Sequence, residues 1–118
     1  MKSSLAAILA AVALMLAVPA CGVSEHAPAT ATDDARTLVA NGALLLDVRT
    51  PSEFASGHID GAVNIPVQEL ERRIAEIHDR RRPIVVYCQS GRRSAAATQM
   101  LRSAGYAEVH DLGPMSAW

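Results

Sequence analysis

Beyond residue 33 the chain alternates two kinds of apolar pattern. Ala43-Leu44-Leu45-Leu46-Asp47-Val48 and Pro83-Ile84-Val85-Val86-Tyr87 are short continuous apolar runs, the pattern of strands buried on both faces of a parallel sheet. Val67 to His78 places Leu70, Ile74 and Ile77 at helical spacing with charges between them, which predicts an amphipathic helix. Ser94 to Ser103 is Ala-rich with Met100 and Leu101, and Gly105 stands where a C-cap belongs. Asp33 to Asn41, with two acids in its first turn and Asn41-Gly42 as a stop, predicts a short helix. In Thr50-Pro51-Ser52-Glu53 an N-cap, a proline at the first helical position and an acid at the third start another, ending near Gly57. His58 to Pro66 reads as a turn and a short strand, and Ala107 to Leu112 as a last strand. Strands and helices in alternation predict one small α/β domain with a central parallel sheet and helices on both faces.

The first residues follow a different rule. Met1-Lys2-Ser3-Ser4 is a short basic start, Leu5 to Val18 is uninterrupted apolar sequence, and small residues follow. This is the pattern of a signal peptide over residues 1–20, and the run is short of the roughly 20 residues a spanning helix needs. Val18-Pro19-Ala20-Cys21 also resembles a bacterial lipoprotein box, with Cys21 as first mature residue and lipid attachment site. The alternative is ordinary cleavage after Ala20. Either way the mature chain is expected outside the cytoplasm, periplasmic or in the cell envelope. Residues 21–32 are small and polar and read as a tether, about 40 Å at full extension. The domain then occupies 33–118.

Composition alters the picture in two places. The formal charge of the 118 residues is −1, and the one dense basic run, Arg80-Arg81-Arg82, precedes Pro83 where a turn is expected, so nothing points to nucleic acid. The two cysteines are Cys21 and Cys88. A disulfide framework is ruled out once Cys21 is lipidated, and a lone thiol sent into an oxidising compartment is better explained by chemistry than by packing.

Cys88-Gln89-Ser90-Gly91-Arg92-Arg93-Ser94 directly follows the second apolar run and precedes the Ala-rich helix. A cysteine in a strand-to-helix turn meets unpaired backbone N–H groups and the positive end of the helix dipole, and both favour a thiolate and a bound anion. Cys88 is therefore the candidate nucleophile. Asp47, Arg49 and Cys88 all fall at carboxyl ends of strands, where open α/β sheets bind ligands.

The cysteine loop resembles the active-site loop of the rhodanese family of sulfurtransferases. Leu46-Asp47-Val48-Arg49 with Glu53-Phe54, and Gly57-His58-Ile59 with Gly61-Ala62 and Asn64-Ile65-Pro66, match that family in order and spacing. So does the ending Asp111-Leu112-Gly113-Pro114-Met115-Ser116-Ala117-Trp118. The resemblance implies a rhodanese-like domain in which Cys88 takes a sulfane sulfur from thiosulfate or a related donor and passes it to a thiol or cyanide-like acceptor. It implies that Gln89, Ser90, Gly91, Arg92, Arg93 and Ser94 form the substrate-binding loop, with Arg93 inward, Arg92 nearer the rim and both balancing the donor's charge. Asp47 and Arg49 are expected to brace the strand end, and His58 to be a hydrogen-bonded scaffold residue. No metal or cofactor is implied, and oligomeric state is not legible. Pro114 stands where a second glycine is common, so altered geometry is expected in the segment holding Trp118.

Three other readings compete. A cysteine phosphatase or arsenate reductase also uses a cysteine and an arginine around an anion, but Cys88 to Arg93 encloses four residues, one fewer than tyrosine-phosphatase-like loops. A non-catalytic rhodanese-like binding module typically lacks the cysteine. A thiol redox protein would need a resolving cysteine.

Overall fold

The computed structural model describes residues 31–118. The signal peptide expected over residues 1–20, the expected lipidation at Cys21 and the tether expected up to residue 32 fall on residues that, through residue 30, lie outside the described ones. Helix α1 spans Ala31–Ala40 and begins two residues before the acids expected to start it, so Ala31 and Thr32 belong to the helix rather than to the tether. Strand β1 (Leu44–Asp47), helix α2 (Pro51–Ala55), strand β2 (Val63–Asn64) and helix α3 (Val67–Arg73) follow. Then come strand β3 (Ile84–Cys88), helix α4 (Arg92–Ser103) and strand β4 (Val109–Pro114).

The four strands form one parallel sheet in the order β2-β1-β3-β4. Leaving β1 the chain goes outward to β2, and it returns to β3 on the other side of β1. The switch point of the sheet therefore lies between the carboxyl ends of β1 and β3, the position at which such sheets open a crevice. Cys88 ends β3 there, and Asp47, paired in register with Tyr87, ends β1.

Alternation along the central strands sorts their side chains to two cores. Leu46, Ile84, Val86 and Cys88 pack with Leu70 of α3, with Ala97 and Leu101 of α4, and with Tyr106. Leu45, Val85 and Tyr87 pack on the opposite face with Ala35 of α1, Ile59 and Leu112, and with Trp118 at their margin. Both faces are covered, which is why β1 and β3 read as unbroken apolar runs.

Boundaries differ from the pattern in physically sensible ways. Helix α3 stops at Arg73, and Ile74–Glu76 tightens into a 3₁₀ turn, so the amphipathic run is not one helix through His78. The buried Tyr106 hydroxyl lies 2.9 Å from the Ile74 carbonyl and 2.6 Å from that of Ile77; the Ile77 N–H already serves the first, so the one hydroxyl hydrogen is free for the second, a group a continuing helix would have paired. Gly105 follows the C-cap Ala104 with φ +93°, the left-handed position a helix end favours. Strand β4 reaches Pro114, two residues past the expected end, because Leu112 bulges out of register: Val86 pairs with Asp111 and Tyr87 with Gly113. As an edge strand, β4 tolerates a proline at its end.

Leu101 is fully buried beneath the sheet, whereas its neighbour Met100 is 37% exposed. Leu101→Ala is expected to destabilise the domain by about 2–5 kcal/mol through the cavity it leaves. Met100→Ala should change stability by less than about 1 kcal/mol. Urea unfolding of the two variants against wild type measures both.

Candidate active site

The cysteine loop folds as it does because Gly91 takes a left-handed conformation, φ +97°, at the N-cap of α4. Glycine brings no side chain to cap the helix, so the first-turn N–H groups need another acceptor. The Cys88 sulfur supplies it, accepting from the Gly91 N–H at 2.9 Å. A β-carbon on Gly91 would lie 3.5 Å from Cδ of Pro114 and 3.7 Å from Cα of Gly113. The closing segment thus forms one wall of the turn. Pro114 itself is extended, φ −70° and ψ 144°, pairs in register with Cys88 and leads into the 3₁₀ turn Met115–Ala117.

Cys88 is fully buried. Burial alone pushes its thiol pKa up. Hydrogen bonding from the Ser94 hydroxyl and from the Ser94, Gly91 and Ser90 N–H groups outweighs that, and the thiol lies below its ordinary value. The Ser94 hydroxyl also lies 3.0 Å from the Gly91 carbonyl, so one hydrogen has two acceptors to choose from.

Beside the cradle is a buried ion pair. Arg49 reaches Asp47 with Nε and Nη2, at 3.1 Å and 2.8 Å, and its own backbone N–H donates to Asp47 Oδ1 at 2.9 Å. The remaining guanidinium donors reach the Gly57 carbonyl at 2.7 Å and Gln89 Oε1 at 3.2 Å. Asn64 Nδ2 donates to the carbonyls of Asp47 and Arg49. The Tyr87 hydroxyl accepts from the Ile59 N–H at 3.2 Å. Burial, with help from its hydrogen bond to Asp47, pushes the Tyr87 pKa up to about 12.

The candidate loop residues therefore occupy distinct places. Gly91 and Ser94 line the sulfur, Gln89 and Ser90 are exposed at the mouth, and Gln89 is oriented by Arg49. Arg92 is exposed, while Arg93 is half-buried and held by Glu53. His58 is outside the cradle: its Nδ1 lies 2.8 Å from the Phe54 carbonyl, and its ring stacks on Phe54 at 3.6 Å. It borders instead an open cavity of about 500 Å³ that includes Ile59, Asp60 and Trp118 but not Cys88. Among the described residues no group of three or more His, Cys, Asp or Glu side chains is placed to hold a metal.

A buried thiol under a helix start, at the switch point of a four-stranded parallel sheet, can be compared with known proteins. The family model described as "Rhodanese-like domain" matches residues 31–118. This chain belongs to the rhodanese-like domain family. Its relatives include the thiosulfate sulfurtransferase PspE of Escherichia coli, 39% identical over 58% of this chain and 66% of that protein. The human thiosulfate:glutathione sulfurtransferase is 39% identical over 68% of this chain and 82% of its own length. The uncharacterized protein YqhL of Bacillus subtilis is 46% identical, and the match spans 60% of its length. Among solved structures, a rhodanese with anions from E. coli superposes with TM-score 0.60 at 36% identity, covering 64% of this chain and 89% of that one.

Two contacts around the cradle escape a reading of the sequence. Tyr87 is hidden in the apolar run of β3, and Glu53 is fully explained by its role in the α2 cap until the fold brings Arg93 to it. If the Ser94 hydroxyl holds the thiolate, Ser94→Ala raises the pH midpoint of Cys88 alkylation by about half a unit. Iodoacetamide labelling followed against pH reads that midpoint.

Proposed function

We propose that this rhodanese-like domain is a sulfurtransferase that moves a sulfane sulfur from thiosulfate, or a related donor, to a thiophilic acceptor through a persulfide on Cys88. The observation that carries the reading is the Gly91 N–H directed at the Cys88 sulfur, 2.9 Å away, at the start of α4. Donors fixed there stabilise a thiolate before reaction and a persulfide anion after it. The names of the relatives support the same chemistry.

In the first half-reaction the thiolate attacks the outer sulfur of thiosulfate. A Cys88 S–S bond forms, the sulfur–sulfur bond of the donor breaks, and sulfite leaves with the bonding pair. In the second, a nucleophile such as cyanide or a thiolate attacks the outer sulfur of the persulfide and the Cys88 thiolate is regenerated. A thiol already ionised by its surroundings needs no separate base. Cys88 is covered at rest, so donor entry requires side chains at the mouth to move. Those bordering it, Gln89 and Ser90, are exposed, and an anionic donor can replace the Arg49 contact that holds Gln89.

The proposal places the domain outside the cytoplasm, anchored by lipid at Cys21. Thr32 Oγ1 donates to the Ala117 carbonyl, so the chain enters the domain at the end of the sheet that carries Cys88. Mass spectrometry of the membrane fraction should find Cys21 as a lipid-modified amino terminus. An unmodified Cys21 would reduce the proposal to export alone.

Thiosulfate-to-cyanide transfer by the wild-type protein and by Cys88→Ser decides the main reading. Wild type should turn over, and after thiosulfate alone it should carry the mass of one extra sulfur on Cys88. Cys88→Ser should fall to background. Equal rates in the two proteins, or none in either, would remove the enzyme.

A further inference from the structure

The two arginines that follow Gly91 are not equivalent. Arg93 Nη1 and Nη2 donate to Oε1 and Oε2 of Glu53 at 2.6 and 2.9 Å, a two-bond fork-to-carboxylate contact. Glu53 Oε1 accepts in addition from Thr50 N–H at 3.2 Å and Thr50 Oγ1 at 3.1 Å. One carboxylate therefore ties the start of α2 to the first turn of α4. The Arg93 charge acts on both Cys88 and Asp47. Arg49, the other guanidinium beside the cradle, already belongs to Asp47.

We propose that Glu53 is a positioning residue of the Cys88 cradle: it fixes the Arg93 guanidinium at the mouth and cancels most of its charge. An approaching anionic donor then meets Arg93 as an oriented hydrogen-bonding surface rather than as a free cation. The proposal rests on the sulfur-donor reading for what enters the cradle, but not for the effect on the thiol.

Helix α2 has no buried residue, so apolar packing does not explain why it lies where Glu53 can reach Arg93. The polar contacts do. The Arg93 guanidinium beside Glu53, with the Thr50 N–H, holds its carboxyl down to about 2, so the negative charge persists wherever the thiol titrates. The charged groups on the elements packed around the cradle are Asp47 at the end of β1, Arg49 in the loop after it, Glu53 on α2, Arg92 and Arg93 on α4, and Asp111 on β4. The last accepts from the Gly113 N–H. Replacing Glu53 by glutamine changes one of these charges. It leaves a side-chain oxygen for Arg93 and a residue that serves equally in a capping box.

In the full-length protein, Glu53→Gln should lower the pH midpoint of Cys88 alkylation by about half to one unit, because the cation is unmasked. It should also lower KM for thiosulfate roughly two- to fivefold, the scale of a partly exposed ion pair. Arg93→Met, which leaves the carboxylate in place, should move both quantities the other way. A Glu53 that only braced the fold would lower the thermal midpoint and leave the alkylation midpoint where it is. That result, or a raised midpoint in folded Glu53→Gln, overturns the proposal. If Glu53→Gln does not fold, Arg93→Met decides: an unchanged or lowered alkylation midpoint overturns it. A shifted midpoint together with an inactive wild type would remove the thiosulfate reading and leave the role of Glu53 toward the thiol standing.

Discussion

A buried sulfur that accepts hydrogen bonds from the first turn of a helix is the constraint around which this domain is arranged. Burial opposes ionisation of Cys88, and the N–H groups of the α4 start together with the Ser94 hydroxyl oppose burial. The balance holds only while Gly91 keeps its left-handed conformation. Gly91 lies against Gly113 and Pro114, which follow the bulge at Leu112.

The second frame is the Asp47–Arg49 pair, with both residues almost wholly removed from solvent. Such pairs add little net stability, because desolvation of the charges offsets their attraction, yet removing one partner is costly. What this pair supplies is fixed geometry. Through Arg49 it holds the Gly57 carbonyl and the Gln89 side chain. Asn64 adds bonds from β2 to the Asp47 and Arg49 carbonyls, so the loops after β1 and β3 and the edge strand are joined by one polar network.

Around the mouth, polar contacts replace apolar ones. Helix α2 contributes no buried residue and is held by its cap, by Glu53 on Arg93 and by Gly57 on Arg49. Contacts of that kind depend on charge and direction, whereas the two apolar cores beneath them depend on close packing. The sheet is thus held by apolar packing and the surroundings of Cys88 by polar contacts.

Much of this was legible in the chain because it depends on local spacing. The apolar runs of β1 and β3, the Thr50-Pro51-Ser52-Glu53 cap and the strand–cysteine–helix sequence are each set by residues within one or two turns of each other. Asp47 and Arg49, two positions apart, could be read as a brace for the same reason. Other features depend on which strands become neighbours. Glu53 and Arg93 are 40 residues apart, and nothing in either segment announces the other. Tyr87 looks like one more apolar residue of β3 until its hydroxyl is seen on the Ile59 N–H. The Tyr106 hydroxyl likewise meets the turn after α3 from 29 residues away. The sequence by itself determined the order of the elements, the place of Cys88 in a strand-to-helix turn and the glycine that lets the turn form, since each is a matter of backbone preference and short-range pattern. Only the tertiary structure decided which charge Arg93 answers to and what walls the sulfur, because the order β2-β1-β3-β4 brings those segments to one end of the sheet.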